Sequence, residues 1–186
     1  AYVMKKLADT MGARTLCFNN RESGVEKVLG LDASPNTIDE LLSTNVIVTF
    51  GFIMENNPVI QLKLKQAAED GAKVYVINPK EYQVNNFDFA TKVVYVDNNL
   101  EAVKEMAKAL VDMGKVSSVD NFDEFKASLD DVCVSSDISE IANAYATAKK
   151  AMIVFQQNVL SSDAATMIAN IALLSGHIGS PRDGIL

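Results

Sequence analysis

The stretch Asn45–Lys80, NVIVTFGFIMENNPVIQLKLKQAAEDGAKVYVINPK, decides the fold of this chain. Asn45–Phe50 is a continuous apolar run that ends at Gly51, the pattern of a strand buried on both faces. Pro58 suits the first turn of a helix, where its missing N–H costs nothing. Ile60, Leu64, Ala67 and Ala68 then recur on one face while Gln61, Lys65 and Glu69 point away, and Gly71 closes the helix as a C-cap. Lys73–Ile77 is a second apolar strand, stopped by Asn78-Pro79. Two strands joined through a helix by short loops pair in parallel, so the stretch is a βαβ unit.

Working outward, the same alternation continues. Upstream, Thr37 and Glu40 form a capping-box signature for a short helix through Leu42. Tyr2–Met11 reads as a helix and Thr15–Phe18 as a possible strand. Downstream, Lys92–Val96 is a strand bounded by the turn cluster Asp97-Asn98-Asn99. A helix from about Leu100 to Met113 carries Val103, Ala107, Leu110 and Val111 at helical spacing, and Gly114 ends it. Two more helices are predicted, one near Asn121–Leu129 and one capped by Asp137, with Glu140 reaching back, that runs to Ala148. Ala151–Phe155 is a strand, and Ser162–Leu174 a helix ending at Gly176. The expected fold is α/β, an open, mostly parallel Rossmann-like sheet with helices on both faces, in a single domain over residues 1–186.

Composition narrows the function. Seventeen basic against 24 acidic side chains give a net charge of −7, a field that repels nucleic acid and anionic membrane surfaces. No apolar run approaches the roughly 20 residues needed to cross a bilayer, so no direct membrane insertion is expected. Two cysteines without CxxC spacing, and one histidine, cannot assemble an iron–sulfur or zinc site by themselves. Ala1 opens on a helical pattern without an initiator Met or signal-peptide pattern. The chain is therefore expected to be an internal fragment of a longer protein, and localisation is not legible from this end because any signal region lies outside it; a cytoplasmic protein is the expectation.

In open parallel sheets ligands bind beyond the carboxyl ends of the strands. That directs attention to the loops Gly51–Asn57 and Asn78–Asn86. Gly51 permits close backbone approach to a ligand, and Asn56-Asn57 place amides before the amino terminus of the Pro58 helix, where free N–H groups favour a phosphate. The plainer reading of these residues is a turn. Asn78 ends its strand where nucleotide-binding domains often hold an acidic ribose acceptor, a role that an amide fills only in part. Lys80 either meets an anion as a point charge or is a solvated lysine.

The remaining reactive side chains read as structural. His177, between Gly176 and Gly179, suits the negative end of a helix, with no second histidine or close carboxylate in sequence to complete a metal site. Cys133 lies in the apolar run Val132-Cys133-Val134 and is expected to be buried and inert. Cys17 closes the possible Thr15–Phe18 strand beside Arg21, a cation able to lower a thiol pKa. The seven methionines are core filler.

Three stretches resemble the molybdopterin oxidoreductase family, which includes formate dehydrogenase and nitrate reductase large subunits and the large iron–sulfur subunit of NADH:quinone oxidoreductase. Asn45–Lys80 is similar to the family's strand, Gly-containing loop, Asn/His-Pro helix start and terminal Asp-Pro-Arg. ISEIANAYATAKKAMIVF, Ile138–Phe155, is similar to its alanine-spaced helix feeding a strand. IALLSGHIGSPRDGI, Ile171–Ile185, matches its Leu-Leu-Thr-Gly-Asn-Ile-Gly-x-Pro-Gly-x-Gly signature at Leu173, Leu174, Gly176, Ile178, Gly179, Pro181 and Gly184.

The resemblance implies one α/β domain of a large subunit wrapped around a molybdopterin guanine dinucleotide carrying Mo or W. Gly51, Phe52, Glu55, Asn56 and Asn57 would approach the cofactor phosphates, and Asn78 and Lys80 would stand where family Asp and Arg recognise a guanosine. Cys17 falls near the family's Cys or selenocysteine metal ligand but lacks its usual sequence context. The implied partners are the other domains of the subunit and iron–sulfur or NAD(H)-oxidising electron-transfer subunits. An iron–sulfur cluster would lie outside this chain, which alone is expected to hold no cofactor and to be inactive. Two alternatives stay open. One is a non-catalytic scaffold domain of the NADH:quinone oxidoreductase subunit; the other is the middle domain of a thiamine-diphosphate enzyme, whose pattern Lys149–Leu174 also resembles.

Overall fold

The strand alternation read from the sequence sorts the apolar side chains into two cores. In the computed structural model, which describes residues 2–13, 24–31, 33–52, 56–82, 87–116 and 121–186, β1 (Val46–Phe50) runs through the middle of a sheet. Val46, Val48 and Phe50 enter one core and Ile47 the other. β2 (Lys73–Pro79) repeats the division with Tyr75 and Ile77 against Val74 and Val76, and β4 (Ala151–Phe155) with Ala151 and Ile153 against Met152 and Val154. Strands buried on both faces need continuous apolar sequence, which is what these segments carry.

With β3 (Lys92–Val96) and β5 (Gly184–Ile185), the described residues form a sheet of five strands in the order β3-β2-β1-β4-β5. All four strand pairings among the described residues are parallel, in keeping with the parallel sheet expected. Phe50 stands level with Ile77 on one side and Phe155 on the other. The helix α3 (Pro58–Glu69) joins β1 to β2, and α7 (Ser162–Ser175) joins β4 to β5 in the opposite direction along the sheet. Right-handed crossovers that step opposite ways must lie on opposite faces. Accordingly Leu64 and Ala67 of α3 pack in the smaller core, with Leu41 of the 3₁₀ turn Ile38–Ser43. α4 (Asn99–Asp112), α6 (Ser136–Thr147) and α7 fill the larger one. The shorter helices α1 (Tyr2–Thr10), α2 (Glu26–Leu29) and α5 (Phe122–Ala127) and a 3₁₀ turn at Lys80–Tyr82 complete the described elements.

Several sequence expectations change; Met4 and Met11, for example, are exposed rather than core filler. Cys133 is exposed, not buried. It lies in extended chain between α5 and α6, where alternate side chains face opposite ways; its neighbours Val132 and Val134 take the core side. Asp137 does not cap α6, because the helix begins earlier and Ser135 Oγ accepts the Ile138 N–H. Asp137 instead pairs with Lys92 of β3 at 2.8 Å. His177 does have a carboxylate partner: Asp183, distant along the loop, meets its Nδ1 at 2.7 Å. The expected Thr15–Phe18 strand lies outside the described residues.

Among the described residues, no helix is long and apolar enough to cross a membrane. Nor does any group of three or more His, Cys, Asp or Glu side chains there form a metal site.

Candidate functional site

The order β3-β2-β1-β4-β5 reverses direction between β1 and β4, the position where open α/β sheets leave a crevice beyond their carboxyl ends. Gly51 begins the loop there with φ +60°. Its bare Cα is required by packing as well as by backbone angle. A Cβ at this position would meet Leu160 Cδ1 at 2.5 Å, Val159 Cγ1 at 2.9 Å and Asn99 Nδ2 at 3.3 Å. The loops after β1 and β4 and the start of α4 therefore converge on one glycine.

Beside this point opens a cleft of ≈ 390 Å³. Pro79, Lys80 and Glu81 wall it after β2, Val96–Leu100 form the end of β3 and the first residues of α4, and Val159 and Ser161 close it before α7. Two helix starts thus face the cleft. Asn98 caps α4 by accepting the Leu100 N–H at 2.9 Å, and Ser161 caps α7 by accepting the Ala164 N–H at 3.2 Å. Asn99 is 9% exposed, and its side-chain Oδ1 is buried without a hydrogen-bond partner among the described residues. A buried amide oxygen without a donor is costly, roughly 1–3 kcal/mol, and such an orphan at a cleft points to a ligand that supplies the donor.

The residues singled out by sequence are distributed around this edge. Gly51 and Phe52 are buried, Phe52 with its ring in the smaller core. Asn56 is exposed and Asn57 half-buried at the open amino end of α3, and Asn57 makes no side-chain cap. Asn78 is fully buried; its Oδ1 accepts the Phe52 N–H at 2.8 Å and its Nδ2 donates to the Phe52 carbonyl at 2.8 Å. Lys80 lines the cleft but is ion-paired with Asp97 at 2.8 Å, both side chains more than half exposed. Glu55 and Cys17 lie outside the described residues. Sequence reading missed Asn99. It stands in a turn cluster, and nothing local separates it from Asn98, whose side chain is an ordinary helix cap.

No family model matches the chain. It is 21% identical to Formate dehydrogenase H of Escherichia coli over 184 residues, 88% of this chain and 26% of that protein. It is 22% identical over 185 residues to the F420-dependent formate dehydrogenase 2 subunit alpha of Methanococcus maripaludis, 87% of this chain and 27% of that one. These likenesses support a domain of the molybdopterin oxidoreductase family.

The chain spans about a quarter of the length of these relatives. Among the solved structures that share the fold are two of different chemistry. Acetylene hydratase from Pelobacter acetylenicus superposes with a TM-score of 0.61 at 17% identity, covering 83% of this chain and 24% of that chain. A chain of the formyltransferase/hydrolase complex from Methylorubrum extorquens, in complex with methylofuran, gives 0.54 at 12% identity, covering 92% and 45%.

Proposed function

We propose that this domain holds the nucleotide end of a pterin guanine dinucleotide in a molybdopterin-dependent, formate dehydrogenase-like oxidoreductase. The observation that carries the reading is the orphaned Asn99 Oδ1 at the cleft beyond the strand carboxyl ends. A guanine edge with adjacent N–H donors, or a ribose hydroxyl, matches that acceptor. Gly51, Phe52, Asn56 and Asn57 would form the phosphate side before α3, where free helix N–H groups favour an anion; Glu55, assigned there by the resemblance alone, lies outside the described residues. Lys80 completes the edge at the cleft. When bound, the cofactor supplies the redox chemistry through Mo or W, its electrons leaving to an iron–sulfur cluster outside this chain. The remaining domains of the subunit and an electron-transfer subunit in the cytoplasm are its partners.

Amide NMR of the chain titrated with GDP tests this. A lone half-site should bind no better than about millimolar, roughly −4 kcal/mol. Shifts should appear at Gly51, Asn56, Asn57, Lys80 and Asn99; shifts confined to other surfaces would sink the proposal. A second reading, a scaffold domain of an NADH:quinone oxidoreductase subunit that keeps the fold without the cofactor, is favoured by one observation. Both Asn78 and Lys80 already have partners within the chain. That reading expects no GDP-dependent shifts.

A further inference from the structure

The end of β2 carries a device that the nucleotide reading does not use. Ladder pairing between β1 and β2 stops at Phe50 and Ile77, after which the Gly51 N–H donates to the Ile77 carbonyl at 3.0 Å. The next residues of β2 are Asn78 and Pro79, and Pro79 has no N–H to offer. Gly51 turns the chain with φ +60°, leaving the Phe52 N–H and C=O inside the protein without a backbone ladder. The Asn78 carboxamide takes the place of the missing peptide group: Oδ1 accepts from Phe52 N and Nδ2 donates to Phe52 O, each at 2.8 Å. Asn78 is 0% exposed, so water cannot substitute for either bond.

We infer that Asn78 is a positioning residue that acts through Phe52, fixing the Gly51 turn against Asn99, and does not itself contact the nucleotide. Its two polar atoms are both committed, and Gly51 is the residue whose Cα side faces Asn99 Nδ2. An amide is required at this position. A carboxylate would accept from Phe52 N but meet the Phe52 carbonyl as a second acceptor, and only its protonated form restores one donor and one acceptor. The inference rests on the nucleotide reading for its consequence, although not for its geometry.

The test compares N78D, N78A and wild type in the full chain by amide hydrogen exchange, by the NOE between Gly51 Hα and the Asn99 side-chain amide, and by GDP-induced shifts. At pH 7, N78D should lower the Phe52 protection factor at least tenfold, weaken the NOE and shrink the GDP-induced shift of Asn99. Burial raises a carboxyl pKa, so below about pH 5 N78D should recover all three while N78A recovers none. Tyr95 stands level with residue 78 on β3, and Lys80 and Asp97 lie at the cleft mouth beyond it. N78A retains all of these groups and reports any pH effect that arises from them. Val76→Ala, a core truncation on the same strand, controls for lost stability: it should leave the NOE intact. Wild-type protection of Phe52 in N78A, or loosening of N78D without pH recovery, overturns the clamp. A loosened Phe52 with undiminished GDP shifts overturns the positioning role. If wild type gives no GDP shifts, the nucleotide reading fails, and the exchange and NOE data still decide the clamp.

Discussion

Gly51 and Asn99 meet across the mouth of the sheet: a Cβ on residue 51 would stand 3.3 Å from Asn99 Nδ2 and still closer, 2.5 Å, to Leu160 Cδ1. The left-handed backbone at Gly51 and this crowding act together. Gly51→Ala should therefore destabilise the chain by about 2 kcal/mol, through overpacking and a strained φ. Urea denaturation should show a lower midpoint with an unchanged slope, and an unaltered midpoint would contradict the contact.

Asn99 predicts the opposite sign. Its orphaned acceptor is a cost in the free chain, so Asn99→Leu, of similar size, should raise stability by about 1 kcal/mol. The same substitution should abolish the GDP-induced shifts. Gain of stability with loss of binding separates a ligand-facing residue from a structural one; loss of both would place Asn99 in the structure instead.

Asp183 ties the carboxyl-terminal segment to the amino end of β4. Its Oδ1 accepts the Ala151 N–H at 3.0 Å and lies 2.7 Å from His177 Nδ1, while Lys150 Nζ stands 3.4 Å from Oδ2. His177 in turn packs edge-on to the buried Tyr145 ring, with centroids 4.8 Å apart. Asp183→Ala leaves a buried N–H and an imidazole without their acceptor, a loss of about 3 kcal/mol. Calorimetric melting of the variant measures it, and a loss well under 1 kcal/mol would show that the network adds little.

Glu40 governs the acid limb. The Arg182 backbone N–H, then the Asn36 side chain and the Thr37 backbone N–H, hold its carboxyl down from 4.5 to about 2. A carboxyl lowered in the folded state adds stability above its unfolded pKa, and that stability is lost as pH falls through the folded value. The difference in melting temperature between wild type and Glu40→Gln should therefore be full above pH 4.5 and vanish towards pH 2. A difference that is constant across that window would rule out the carboxylate as the source.

The isolated chain should reduce no artificial dye with formate or NADH, even when supplemented with metal. Its two cysteines cannot build a cluster, and the nucleotide edge is only one part of a cofactor pocket. Measurable turnover by the purified chain would overturn this.

Periodicity alone placed the central strands, α3 and α7, because burial on one or both faces imposes a local pattern that any short window carries. The strands Lys92–Val96 and Ala151–Phe155 were legible at their observed limits for that reason. Helix starts were legible where one side chain caps its own neighbour, as in the Thr37–Glu40 pair, and misplaced at α6, where Ser135 and Asp137 are both competent caps. The tertiary structure decided what the same side chains do with distant partners. Asn78 reads in sequence as a strand-end polar residue; only the crossover that lays β1 beside β2 brings Phe52 to its amide. Asn98 and Asn99 are alike in composition, yet one caps a helix and the other is buried without a donor, because α4 turns the second toward Gly51. His177 and Asp183 likewise become partners only when β5 docks on β4. Pattern reports which way a side chain faces along its own element; what it meets there depends on chain folded back from tens of residues away.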